Sequence, residues 1–174
     1  MATVLGAVAL GIGAFMFVGS IERNAPIEMD AQSIKKMVHE YSTDILTAKS
    51  ASITSKQLIV TENDEKSSTY DLPDNEFFLS IAPYVDQTHP CATHSLTGCQ
   101  GEMVEKEFNV NIKDKDGTVI LDETLKSQSN GFIDLWLPRD TTYSITVEHD
   151  GKTAESEIST FETDDTCLTT MQLV

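Results

Sequence analysis

Basic residues are scarce in this chain of 174 residues, which carries 12 Lys and Arg against 28 Asp and Glu and has a formal net charge of −16. A nucleic-acid-binding surface needs clustered cations to neutralise phosphates, so we expect no nucleic-acid partner. Anionic lipid headgroups would also repel such a surface. The simplest consequence of the acidity is high solubility.

Charge is absent from the first twenty residues, MATVLGAVALGIGAFMFVGS. An N-terminal apolar run of about 18 residues is typical of a secretory signal peptide or a membrane anchor. We therefore expect an exported, extracytoplasmic protein, located in the periplasm or on the outer face of the cell membrane, with residues 1–20 either cleaved or retained. Because no Lys or Arg precedes the run, the positive-inside rule gives no orientation.

Cysteine is also rare, with Cys91, Cys99 and Cys167 as its three occurrences. An odd number of cysteines in an exported protein leaves at least one thiol unpaired. The chain contains no CxxC, HExxH, P-loop or GxGxxG motif and no Ser-His-Asp order. The familiar hydrolase, nucleotide-binding and thioredoxin-like classes therefore have no support in its motifs.

The apolar periodicity predicts an α+β protein. Spaced apolar residues predict an amphipathic helix over residues 31–49, with Asp30 as its N-cap. Short strands follow, among them an apolar run over 77–85 that Pro83 assigns to a sheet edge or a bend. From Glu105 onward, alternating strands separated by turns predict a C-terminal antiparallel β-sandwich. This divides the chain into a helix-plus-strands unit at 25–86, a joint at 87–104 and the sandwich at 105–174.

The joint holds His89, Cys91, His94 and Cys99 within eleven residues. If the sandwich returns Cys167 to this joint, three thiols and one or two imidazoles converge there. Thiolate ligands select Cu(I), with Zn(II) as the main competitor, since three Cys and one His also form a common structural zinc site. Of the two imidazoles, His94 is the first candidate ligand and His89 the second.

Other interpretations of these residues stay open at this point. Cys91 and Cys99 are far enough apart to close a structural disulfide, or a reversible one with a redox role. In the first case Cys167 would be a buried spare thiol. Met103 and Met171 are more typical of core packing than of metal ligation. Trp136 lies in an alternating strand and is likewise expected in the core.

The segment HPCATHSLTGCQGEM resembles the signature of the CueP family of extracytoplasmic copper-binding proteins. The similarity continues in FFLSIAPYV before it and in NGFIDLWLPR and TCLTTMQL after it. This resemblance implies copper resistance through a site in which the family cysteines correspond to Cys91, Cys99 and Cys167, and the central histidine to His94. It further implies that residues 25–86 form a homodimer and that the thiols reduce Cu(II).

In the mechanism that follows from the resemblance, the Cys91/Cys99 pair supplies electrons to Cu(II) and the site retains Cu(I). A thiol-redox partner would reset the pair, and a secreted copper enzyme could accept the ion. Two alternatives belong to other classes. One is a thiol–disulfide exchange protein, and the other is a non-catalytic sandwich module with a structural disulfide or a zinc ion.

Overall fold

A computed structural model describes residues 25–174 of the chain. The predicted signal peptide or membrane anchor at residues 1–20 lies outside the described residues. Among the described residues, no helix has the length and apolar character needed to cross a membrane. These residues form one helix and eleven strands, and they confirm the predicted α+β class with a β-sandwich.

The helix, α1, runs over Ala31–Ser42. It begins where predicted, because the Asp30 carboxylate accepts hydrogen bonds from the backbone N–H groups of Gln32 and Ser33. The prediction that it continues to residue 49 is wrong. Asp44 adopts a left-handed backbone conformation with φ of 59°, which ends the helix, and Ile45 is 65% exposed.

The first sheet has four strands in the order β3-β2-β1-β5. Its members are β1 (Ser50–Ile53), β2 (Gln57–Thr61), β3 (Ser67–Asp71) and β5 (His94–Ser95). Helix α1 packs on this sheet through Ile34 and Val38, which share a buried cluster with Ile53 and Leu58. The two-residue strand β5 therefore attaches the predicted metal-site segment to the N-terminal sheet.

The second sheet lies at the centre of the molecule and has the order β11-β4-β8. Its strands are β4 (Glu76–Ile81), β8 (Ile133–Pro138) and β11 (Cys167–Leu168). Of the two alternatives predicted from Pro83, the sheet edge is wrong because β4 is the central strand, whereas the strand does end at Ile81, two residues before the proline. The C-terminal segment over residues 167–173 contributes β11 and an isolated bridge between Gln172 and Tyr84.

Strand β4 is apolar along its length because it is buried on both faces. Phe77, Leu79 and Ile81 enter the sandwich core, whereas Phe78 packs into the cluster beneath helix α1. On the same side as Phe78, Ser80 and Ala82 are buried near the joint. Since β4 pairs along its length with β8, it connects strands from the two predicted units; the division of the chain at residues 86 and 105 stays a prediction.

The third sheet closes the sandwich and has the order β10-β9-β6-β7. It consists of β6 (Glu107–Asp114), β7 (Val119–Lys126), β9 (Thr142–His149) and β10 (Lys152–Ser159). Alternate residues such as Val110 and Ile145 pack against the inner face of the second sheet. The outer face of the second sheet therefore lies against the joint at residues 87–104, which carries the cysteines and histidines.

Candidate metal centre

The loop that carries Cys91, His94 and Cys99 is folded back on itself by backbone hydrogen bonds. The Cys99 N–H donates to the Ser95 carbonyl, which turns the chain tightly after β5. The pairing of β5 with β1 places His94 opposite Ile53. Because these contacts fix both ends of the turn, Cys99 returns to within 3.6 Å of Cys91, measured between their Sγ atoms.

Strand β11 brings Cys167 to this loop from the far end of the chain. It pairs in parallel with β4, placing Cys167 beside Ser80. The N–H groups of Thr166 and Cys167 both donate to the Ala92 carbonyl, and the His94 N–H donates to Thr166 Oγ1. These three bonds fasten the loop to the C-terminal strand, and the predicted convergence of Cys167 on the joint is therefore present in the structure.

The four donor atoms of Cys91, His94, Cys99 and Cys167 all lie within 4.8 Å of one another. Cys91 and Cys99 are separated by 3.6 Å between sulfurs, and Cys167 Sγ lies 3.5 Å from His94 Nδ1. Ideal tetrahedral bond lengths require about 3.8 Å between two sulfurs and about 3.5 Å between sulfur and nitrogen. A metal ion thus fits the set after a contraction of at most about 1.3 Å in the widest pair.

All three cysteines are free thiols in the structure. A disulfide needs its sulfurs at about 2.05 Å, so the Cys91–Cys99 separation is that of a non-bonded contact. The backbone already holds the two sulfurs side by side, and closing a bond between them needs only a small approach. The arrangement therefore suits either a bound metal or a two-electron oxidation.

Hydrogen bonds within the cluster distribute the protons unequally among the thiols. Donation by Cys167 is the main cause that holds the pKa of the Cys99 thiol below its usual range. Burial raises the pKa of Cys91, and the hydrogen bond to Cys99 raises that of Cys167. One thiolate at Cys99, stabilised by its neighbours, is the form that a soft metal binds.

The imidazole of His94 is fully buried behind the sulfurs. Its ring lies against Phe132, with 4.5 Å between ring centroids. On the side away from Cys167, its Nε2 atom faces the hydroxyl of Ser80 at 3.3 Å, and Ser80 donates to Asp134 Oδ1 at 2.6 Å. His94 is thus clamped between a sulfur on one nitrogen and a hydroxyl on the other.

The second predicted imidazole, His89, is not among the four clustered donors. It is half-buried at the loop entrance, where its ring contacts Phe132 at 6.2 Å between centroids, and it helps to lower the pKa of Cys99. Its role as a ligand stays a prediction. Met171 is fully buried in the sandwich core and Met103 packs against that core, as expected of residues used in core packing.

A shallow cleft of about 250 Å³ leads from solvent to the thiols. It is lined by Cys91 and Cys167 together with Asp164 and Asp165. Cys91 is the most exposed of the three thiols, so an ion approaching along this cleft meets it first. The two carboxylates at the mouth favour cations over anions.

The loop that carries His89 is held by Glu102. Its carboxylate accepts hydrogen bonds from the backbone N–H groups of Val85, Asp86 and Gln87, and these bonds lower the Glu102 pKa from its ordinary value of 4.5. A carboxylate in this position stabilises the folded state above about pH 4.5, and the contribution disappears as the pH falls through the lower, folded-state pKa.

Replacing Glu102 by glutamine should therefore lower the free energy of unfolding at neutral pH by roughly 1 kcal/mol or less, since the carboxylate is exposed and screened. The difference from wild type should shrink as the pH falls below 4.5 and through the lower, folded-state pKa. Urea unfolding at neutral pH and at a series of lower pH values measures it. Glu123→Gln, on the outer strand β7, is the matched control and should show no such pH-dependent difference. If the two variants behave alike, the Glu102 carboxylate does not hold the loop.

Three residues that shape the site were missed in the sequence, namely Ser80, Asp134 and Thr166. Two of them left a signal in the sequence, and the first is Asp134, a charged residue inside the otherwise apolar strand segment FIDLWLP. Ser80 interrupts FFLSIA in the same way. Neither pattern says which polar partner lies opposite, because that depends on strand pairing between distant segments.

A β protein that gathers three thiols and an imidazole around one point is a binding protein for a soft metal ion. Residues 32–172 match the family of the periplasmic copper-binding protein CueP, and the chain belongs to this family.

The comparison with solved structures agrees with this membership. The crystal structure of S.CueP is 42% identical, covers 81% of this chain and 89% of its own, and superposes with a TM-score of 0.76. No curated protein matches the chain.

Proposed function

We propose that this protein binds Cu(I) through the thiolates of Cys91, Cys99 and Cys167, with His94 as an auxiliary nitrogen ligand. The observation that carries this proposal is the convergence of these four donors within 4.8 Å in a largely buried pocket. Thiolates are soft ligands, and Cu(I) is the soft ion available outside the cytoplasm to a member of a copper-binding family. Binding releases the remaining thiol protons.

The Cys91/Cys99 pair also reduces Cu(II). Each of two Cu(II) ions takes one electron, and the two sulfurs each lose one and join in a disulfide; the thiol proton of Cys91 is released to solvent, since Cys99 is already a thiolate. The 3.6 Å contact between these sulfurs supports this step, because bond formation requires only local movement. Cys167 and His94 keep their donor atoms throughout and hold the reduced ion near the site. An external dithiol partner must then restore the pair.

The proposed location and partners go beyond the family membership. The protein acts in the periplasm or on the outer face of the cell membrane, exported by residues 1–20, and contributes to copper resistance. Residues 25–86 form the homodimer contact, and a secreted copper enzyme is the candidate acceptor of the bound ion. Each of these is a proposal that size measurement and cell fractionation can test.

Zinc is the second candidate ion, because the 3.6 Å and 3.5 Å donor separations are close to those of a tetrahedral Cys3His site. Tetrahedral zinc would use all four donors equally. Cu(I) would depend mainly on the thiolates, since three of them suffice for a trigonal site. His94→Ala therefore separates the two ions and should weaken zinc binding more than Cu(I) binding.

The direct test is an anaerobic titration of reduced protein with Cu(I) in the presence of a chromogenic Cu(I) chelator. We expect the protein to withdraw Cu(I) from the chelator at a ratio of one ion per chain. Retention of all Cu(I) by the chelator would overturn the proposal, and tight zinc binding by the same sample would then favour the second candidate.

A further inference from the structure

A chain of hydrogen bonds extends from the metal centre into the interior of the molecule. It runs from His94 to Ser80 and then to Asp134, whose other carboxylate oxygen accepts from Ser42 at 2.7 Å and from Gln128 at 3.1 Å. His94 and Ser80 are fully buried, so water does not compete for these bonds. The chain links helix α1, β4 and β8 to the imidazole.

The direction of each bond follows from the donors available. A carboxylate can only accept, so the single Ser80 proton points to Asp134 Oδ1 at 2.6 Å. The Ser80 oxygen then offers only lone pairs to its other neighbour. His94 Nε2, at 3.3 Å, must therefore donate its proton to Ser80. A neutral imidazole has one N–H, so Nδ1 is left with a free lone pair.

We infer that Asp134, acting through Ser80, is a positioning residue that fixes the tautomer of His94 with the proton on Nε2 and the Nδ1 lone pair directed at the metal centre. Nδ1 is the nitrogen 3.5 Å from Cys167 Sγ, on the side where the sulfurs converge. Carboxylate partners that orient a metal-binding histidine in this way strengthen metal affinity by about 10–100-fold. This inference rests on the proposed Cu(I) site for its effect on affinity.

Asp134→Asn should reverse the direction of donation in this series of hydrogen bonds. The asparagine amide has one accepting and one donating end, and the orientation that keeps the present donation from Gln128 Nε2 turns its carbonyl oxygen toward Ser42 and Gln128. The amide N–H₂ is thereby directed at Ser80, which then donates its own proton to His94 Nε2. The His94 proton moves to Nδ1, and the lone pair that faced the thiols is lost.

The test reads the tautomer directly, by long-range ¹H–¹⁵N NMR of labelled histidine in the reduced, metal-free protein at about pH 8, where imidazole is neutral. We expect the Nε2–H form in wild type and a shift to the Nδ1–H form in Asp134→Asn. Ser42→Ala is the matched control, because Ser42 binds the same carboxylate without touching Ser80, and it should keep the Nε2–H form. An Nδ1–H form in wild type, or an unchanged tautomer in Asp134→Asn, overturns the inference.

Affinity gives a second readout. Asp134→Asn should weaken Cu(I) binding by about 10–100-fold, and the same substitution made in a His94→Ala protein should cause no further loss, because its effect passes through the imidazole. An equal loss in both backgrounds would mean a merely structural role and would overturn the inference.

If Asp134→Asn does not fold, Ser80→Ala replaces it and should leave His94 in a mixture of tautomers. A pure Nε2–H form in that variant would again overturn the inference.

The two proposals fail separately. The tautomer is measured without metal, so it decides the hydrogen-bond chain even if wild-type protein does not bind Cu(I). Conversely, tight Cu(I) binding with an unchanged tautomer in every variant leaves the copper site in place and removes the role of Asp134.

Discussion

Replacing Cys167 by serine should weaken Cu(I) binding by more than 100-fold, a larger loss than the about 10–100-fold typical of changes to residues behind the ligands. The hydroxyl of serine is hard and stays protonated, so it is a poor ligand for Cu(I). Cys167 is 5% exposed, so water has little access to the position that its sulfur occupies. The substitution leaves two thiolates and His94 in the pocket.

The fold should survive this change, since serine is nearly the same size and β11 is held by backbone bonds to β4 and to Ala92. The measurement is the anaerobic chelator competition, accompanied by urea unfolding to compare stability. Met103→Leu is the control, because it removes a soft sulfur that packs against the sandwich core and lies outside the donor set. Wild-type affinity in Cys167→Ser would show that the ion binds elsewhere.

Replacing both Cys91 and Cys99 by serine should abolish Cu(II) reduction. The reduction needs two sulfurs that can each lose an electron and then bond to each other, and these two are in contact at 3.6 Å. Wild-type protein should yield two Cu(I) per chain and lose two titratable thiols in one anaerobic burst. The measurement is Cu(I) trapped by a chromogenic chelator, with thiols counted before and after.

Two comparisons sharpen this expectation. Cys167→Ser retains the redox pair and should still release two Cu(I), although it holds them weakly. The single variants Cys91→Ser and Cys99→Ser should both lose the burst. Reduction by the double variant at the original rate would contradict the mechanism. Insulin reduction by wild-type protein without copper would instead favour thiol–disulfide exchange.

Local chemistry in the sequence was sufficient for much of the architecture. The Asp30 cap marked the start of the helix because a side-chain acceptor beside free N–H groups is a local device. Alternating apolar and polar residues identified the strands of the sandwich, since one face of each strand is buried and the other is exposed to solvent. Cys91, His94 and Cys99 marked the candidate site because they lie within one short segment. A short loop keeps such residues close in space.

Contacts between distant segments decided the remainder. The helix ended early because Asp44 adopts a left-handed conformation and Ile45 is exposed, which an amphipathic pattern alone does not register. The sheet edge, one of the two alternatives predicted from Pro83, was wrong for β4 because its two neighbours in the sheet come from distant segments.

The metal centre itself depends on the tertiary structure. Cys167 lies 73 positions beyond His94, and only the parallel pairing of β11 with β4 brings its sulfur to the imidazole. Ser80 and Asp134 reach the other side of that ring through the pairing of β4 with β8. Composition determined which donors the protein has and thus the kind of metal it prefers. The strand order determined which donors meet, because register between strands far apart in the chain leaves no mark in local spacing.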